Sequence, residues 1–451
     1  MGVVIESSKW EPSPSHYIII MLCCFVSIIV FPYASKSTTT TTTLFDHASS
    51  SSYRRFQTSF LFLYSLSSVM EGMWSVFGEF ELAYYGISKD QMVLCLCVGY
   101  ASALFVGSLI GPLSDLIGQK KVCLLFCILH LFVGVWKRIA AHPSFWVANI
   151  CLSLATSIFL FNFETWAVIE HEKQGHRQEI LNDTFWLMTF FESASLIGSQ
   201  VLVNWLVGSD VEKGIVSPSI PAVFLAMIGI ICVTRGWTDT YQTAAIKDYR
   251  KSFVTYILGD KRIMLLAWAQ ACLQFSIAVF WILWAPTLVA DGREVQLGVI
   301  HSCFLGARML GSTVFPWLIS GRTSLRTEVC LVYAFIILGL VLSIIAYDYQ
   351  EIGVLVTLFC LFHVCVGMIL PSFARLRTMY VPNELRGGMI SLSQAPANAA
   401  ILLILMQRGY YQNIENSTLI AFTALGIFTA ACCMHLLKRW GKQPYQNWHK
   451  L

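Results

Sequence analysis

The sequence predicts an all-α polytopic membrane protein, a bundle of two six-helix halves with one extra N-terminal helix. Three observations carry this. The 451 residues are 56% hydrophobic and only 12% charged, too apolar for a soluble protein of this size. The apolar residues fall in blocks of the roughly 20 residues that a helix needs to cross a bilayer. One polar stretch, 236–261, divides the later blocks six and six.

Taken in order, the spans are expected near 17–31, 56–80, 92–113, 122–141, 144–170, 184–208, 219–235, 262–290, 295–320, 328–347, 352–374, 388–406 and 417–437. This gives a leading segment 1–55, a first half 56–235, a central loop 236–261, a second half 262–437 and a tail 438–451. The run 17–31 has the length of a signal peptide, with Ala34 and Ser35 as a cleavage site. Cleavage would invert every later loop and turn the basic loops the wrong way, so a retained helix fits better. Residues 35–52 form a Ser/Thr tract that lacks apolar residues to bury, and it reads as a disordered linker. Lys247, Asp248, Arg250 and Lys251 suggest a short surface helix in the central loop.

Of the 30 Lys and Arg, 22 fall on the side of the loop at Asp115, seven on the opposite side, and Arg308 alone within a span. The 22 include Arg375, Arg377 and Arg386, read as loop residues. Cytosolic segments collect Lys and Arg, so this loop is expected to be cytosolic. The charge belongs to membrane flanks and forms no nucleic-acid patch. The 15 cysteines lie almost entirely in spans and read as small apolar packing residues rather than metal or redox groups. No nucleophile–base set, metal cluster or phosphate loop is visible, so no enzyme, cofactor or metal is expected.

The run Gly111-Pro112-Leu113-Ser114-Asp115-Leu116-Ile117-Gly118-Gln119-Lys120-Lys121 lies between two apolar blocks. Asp115 at a helix end is able to accept hydrogen bonds from free N–H groups at a neighbouring helix start, where the dipole favours negative charge. Gly111 and Gly118 permit close approach and a tight turn, and Lys120 meets the anionic leaflet. This spacing resembles the loop between the second and third helices of major facilitator transporters, although Leu116 and Gln119 stand where basic residues are usual. The resemblance implies two halves rocking about a midplane cavity, with Gly111, Asp115, Gly118 and Lys120 in gating.

Ionisable groups inside a span are costly and usually face the protein interior or a wet cavity. Glu71, Glu164, Glu192, His301 and Arg308 are such groups. Gln270 with Gln274, and Gln394 with Asn398, share helix faces at i, i+4, and Trp166 adds an N–H donor. Each has a plainer reading, since a buried Glu also serves by fixing helix packing. Glu71 and Glu164 are expected in substrate binding or proton coupling, and Arg308 in anion contact or gating. At ~1.5 Å per residue, Glu192 and Arg308 lie ~12 and ~18 Å from the cytosolic ends of neighbouring helices. They are expected to pair in one gating state.

Phe161-Asn162-Phe163-Glu164-Thr165-Trp166, followed by Glu170-His171, resembles the molybdate-anion transporter family of the major facilitator superfamily. So do Leu283-Trp284-Ala285-Pro286 and Val381-Pro382-Asn383-Glu384 with Pro396 and Asn398. The resemblance implies alternating-access transport of molybdate or a related small anion, with protons as a candidate coupling ion. Gln274 and Gln394 stand where that family carries Glu and Arg, and Asn149 where it carries another Arg, leaving Arg308 as the expected cationic contact. The alternatives are a transporter of another small solute, or a non-transporting receptor or sensor on the same fold. Either would sit in the plasma membrane or an endomembrane.

Overall fold

The computed structural model describes residues 45–84, 89–139, 144–173, 175, 178–208, 219–236, 246–289, 295, 297–320, 325–347, 352–411 and 415–440. The expected leading helix 17–31 and the tail 441–451 lie outside these residues, as does the linker up to residue 44.

Every described spanning element is a helix, because inside a bilayer each backbone N–H and C=O must be satisfied within its own segment. The first half holds α1 (Phe45–Tyr84), α2 (Lys89–Ser102), α3 (Ser108–Ile117), α4 (Gln119–Ile139), α5 (Phe145–Lys173), α6 (Gln178–Gly208) and α7 (Ser219–Gly236). A π-helical turn, Ala103–Gly107, joins α2 and α3 into one span. A short α8 (Ile246–Ser252) runs into a second such turn at Phe253–Leu258, giving the surface helix expected in the central loop. The second half holds α9 (Lys261–Leu288), α10 (Leu297–Ser320), α11 (Thr327–Ala346), α12 (Ile352–Tyr380), α13 (Arg386–Ser393), α14 (Ala395–Tyr411) and α15 (Asn416–Trp440). Helices α13 and α14 form one span, broken at Gln394 just ahead of Pro396, whose missing N–H interrupts the helical ladder.

Among the described residues, 11 helices are long and apolar enough to cross a membrane, and all 11 correspond to expected spans. Helix α1 covers the remaining expected span, 56–80, and carries Ser65, Ser67, Ser68 and Glu71 along its apolar run. It nevertheless packs on α6 and α7 inside the first half. Its described part begins at Phe45, so residues 45–52, expected in the disordered Ser/Thr tract, are helical. Serine is only mildly unfavourable in a helix.

Within the second half, α11 and α9 pack on α15, and α10 packs on α12. The halves meet along two seams. In one, α6 lies against α10 and α12; in the other, α2 and α3 lie against α14 and α13. The seams flank the space in which the polar residues gather.

Candidate functional site

At the Asp115 end the second seam is closed by hydrogen bonds between the halves. Asp115 Oδ1 accepts from the Gly387 N–H at 3.1 Å, and Oδ2 from the Gly388 N–H at 2.7 Å. These are orphan donors at the start of α13, so the carboxylate caps that helix as its charge and position predict. Gln119 Nε2 and the Tyr249 hydroxyl of α8 also donate to Asp115, at 3.3 and 3.0 Å. Burial and the adjacent carboxylate push the Tyr249 hydroxyl far above its ordinary range, keeping it a donor. The Ser391 hydroxyl reaches the carbonyls of Gly107 and Ser108, both at 3.0 Å. Helices α3 and α13 come this close only because they cross at glycine. A Cβ on Gly111 would lie 2.4 Å from the Gly387 carbonyl oxygen, and Gly118 turns the chain at φ 98°.

Deeper in the seam, Glu164 of α5 faces Arg377 of α12. Arg377 Nε donates to Glu164 Oε1 at 2.7 Å, Nη2 donates to Oε2, and Nη1 donates to Gln270 Oε1 at 2.9 Å. Arg386 lies behind them, fully buried. Its Nη1 is 3.8 Å from Glu164, and its Nη2 donates to Asn383 Oδ1 and to the Arg377 carbonyl. This corrects the sequence reading on two counts. Arg377 and Arg386 are not loop charges, and Arg308 is not the single intramembrane arginine. Helix α12 continues to Tyr380, past the expected end at 374, because Phe373, Leu376 and Tyr380 keep one face apolar and buried around the arginine. That apolar continuation is the signal the sequence carried.

Glu192 of α6 and Arg308 of α10 form the ion pair their helix depths predict, at 2.8 Å. The Tyr64 hydroxyl of α1 donates to the other carboxylate oxygen at 2.7 Å. Arg308 Nε is buried and has no hydrogen-bond partner among the described residues. Further along the same seam, Gln200 donates to the Gly298 carbonyl at 2.8 Å, and its Oε1 meets His301 Nδ1 at 3.0 Å.

Both ion pairs line one cavity of about 120 Å³, together with Tyr64, Gln270, Gln274 and Gln394. Phe159, Met188, Leu273 and Phe373 supply its apolar wall. Six of the expected residues therefore converge: Glu164, Glu192, Gln270, Gln274, Arg308 and Gln394. Three do not. Trp166 is buried in the packed core and Asn398 stands off the cavity on α14. Glu71 forms a separate cluster in the first half, with His130 Nε2 at 3.1 Å and the Thr156 hydroxyl at 2.7 Å.

Two helical halves closing on a charged central cavity define a transporter of the major facilitator type. The chain belongs to the MFS_5 family, described as 12-TM sugar transporters, which matches residues 21–363. It is 23% identical over 396 residues to the molybdate-anion transporter of Xenopus tropicalis, covering 85% of this chain and 86% of that one. The molybdate-anion transporter of Takifugu rubripes is 24% identical, with 80% of each chain covered. Among solved structures, the fold matches the Escherichia coli fucose:proton symporter with a TM-score of 0.68 at 12% identity, covering 84% of this chain and 98% of that one. It also matches a bacterial homologue of the iron transporter ferroportin in an outward-facing state, with a TM-score of 0.62 at 15% identity, covering 85% and 99%.

Proposed function

We propose that the protein is a secondary active transporter of a small oxyanion, molybdate or a close relative, working by alternating access at the cavity between the halves. The observation that carries this reading is the arginine pair of the cavity wall. Arg308 and Arg377 stand there, each against a glutamate, and Arg308 Nε is buried with no hydrogen-bond partner among the described residues. Arginine keeps its charge even when buried, and a buried donor left unmade costs about 1–3 kcal/mol. An entering oxyanion accepts from that N–H in a charge-assisted bond, stronger than the one a neutral oxygen forms. The forked guanidinium suits tetrahedral oxygen geometry, and the names of the Xenopus and Takifugu relatives agree.

Glu164 touches two arginines and is assigned to holding Arg377 in place. Glu71, apart from the cavity, remains a candidate for coupling through His130. A neutral sugar-like solute is the second reading, favoured by the family's description and by the Tyr64, Gln274 and Gln394 side chains on the cavity wall.

Labelled molybdate uptake in cells lacking their own high-affinity system tests the proposal. Uptake should require Arg308 and Arg377, falling at least about tenfold in Arg308→Ala, the scale of one lost charge-assisted hydrogen bond. Sugar uptake without molybdate uptake would favour the second reading. Binding without flux would favour a receptor.

A further inference from the structure

We propose that the second half carries a site for an anionic phospholipid, whose headgroup fills a basic pocket between the end of the central segment, the start of α9 and the end of α15.

The pocket has a volume of about 770 Å³, within the range of small-molecule sites. It shares no lining residue with the central cavity. Thr255 and Tyr256 of the turn at 253–258 form part of its wall, and Arg439 and Trp440 close it from α15. Lys261 and Arg439 are exposed there, on two different helices. Arg262 also lines the pocket, but it is half-buried and lies near Tyr380, so the charge of the site rests on the first two.

Asp260 is the carboxylate of this wall, and it is already committed. It caps α9, accepting from the Arg262 N–H at 2.8 Å. Residues 441–451, which follow Trp440, carry Lys442, His449 and Lys450 and no Asp or Glu. They supply no side-chain anion to the pocket. An ammonium and a guanidinium around a roomy, water-open space suit phosphate oxygens.

The surface beneath the pocket selects a lipid over free phosphate. Lys261, Met264 and Trp268 recur at i, i+3 and i+7 on α9, and so share one face. Arg439, Leu436 and Cys432 do the same on α15. All six are exposed. The two helices pack together, and Trp268 Nε1 donates to the Thr429 hydroxyl at 3.3 Å, so the two faces border one crevice. Each face is cationic at the pocket and apolar toward the bilayer interior. That is the polarity of a phospholipid, with its head among the cations and its chains along Met264, Trp268 and Leu436. Tyr256 and Trp440 stand at the level where aromatic side chains favour the membrane interface. The pocket also opens on the Asp115 side, where the Lys and Arg distribution places the anionic leaflet.

Native mass spectrometry of the delipidated full chain in detergent tests the site. The probes are phosphatidylinositol 4-phosphate, phosphatidylcholine and inositol 1,4-bisphosphate, which is the headgroup without chains. Wild type should bind the phosphoinositide at least about tenfold more tightly than either of the others. Lys261→Gln with Arg439→Gln should lose about thirtyfold, the scale of two cations beside an anionic lipid. Arg54→Gln with Arg55→Gln removes the same charge from α1 and should lose less than about threefold. Should Lys261→Gln disturb the start of α9, Arg439→Gln alone, at the exposed end of α15, should still lose about fivefold. Equal binding of phosphatidylcholine, or equal losses in the two double variants, would overturn the site. A soluble headgroup bound as tightly as the lipid would overturn the lipid as its occupant. None of these outcomes touches the oxyanion reading of the central cavity.

Discussion

Arg308 and Glu192 sit on different halves of the chain, so their bond ties the two halves beside the cavity. Removing one partner of a buried pair strands the other, at about 3–5 kcal/mol. Arg308→Glu places a second carboxylate beside Glu192 and should abolish uptake and lower the melting temperature. Adding Glu192→Arg rebuilds the pair in reverse and should recover part of both. A double mutant as inactive and as unstable as the single one would refute the pairing as a functional tie. The reversed pair also moves the cation from α10 to α6, so recovery of stability should exceed recovery of uptake. This contact was legible from the sequence, because both residues are costly in a span and the helix rise fixes their depth. Arg377 and Arg386 were not legible in the same way. They lie close to span ends, where a charge ordinarily reaches water, and only the fold shows that the seam encloses them.

At the scale of elements, α3 and α13 are tied together across the halves, and we propose that they act as one gate. Asp115 supplies the two bonds that satisfy the first N–H groups of α13 and collects Tyr249 from the central segment. Asp115→Ala removes all of these acceptors at once, and each buried donor left behind costs about 1–3 kcal/mol. The seam should then open more often at this end. Ser114 is fully buried beside Gly387 and serves as the reporter. In a background without other reactive cysteines, Ser114→Cys should resist a membrane-impermeant maleimide applied from the Asp115 side. Adding Asp115→Ala should speed its labelling severalfold. Equal labelling in both backgrounds would show that the carboxylate does not hold the gate. The sequence showed Gly111 and Gly118 as places of close approach and turning, from the spacing of the loop, but not that Gly111 meets Gly387 across the halves. It did not show that Gln119, at a position where a basic residue is usual, donates to Asp115 in the gate. Nor did it show that residues 45–52 are helical, since a serine run with modest helix propensity is decided by the continuous helix that follows it.

For the whole molecule, the bonds across the halves are distributed unequally along the bundle. Asp115 to Gly387 and Gly388, Ser391 to Gly107 and Ser108, Glu172 to Asn383, and Glu164 to Arg377 all lie toward the Asp115 end. Toward the other end, the described ties are those of Gln200 to Gly298, His301 and Ser302. A rocking mechanism requires that the first set break while the second persists or tightens, since the halves are packed bodies that deform little. Covalent closure of the first set should therefore stop transport without unfolding the protein. Ser108 and Ser391 are suited to this, because the Ser391 hydroxyl already reaches the Ser108 backbone. The pair Ser108→Cys with Ser391→Cys should transport when reduced, lose uptake on oxidation and regain it with reductant. Anion binding should survive in the oxidised form, because the cavity and its arginines remain assembled. Oxidised protein that still transports at the reduced rate, with the cross-link verified by mass, would exclude opening at this seam as an obligatory step.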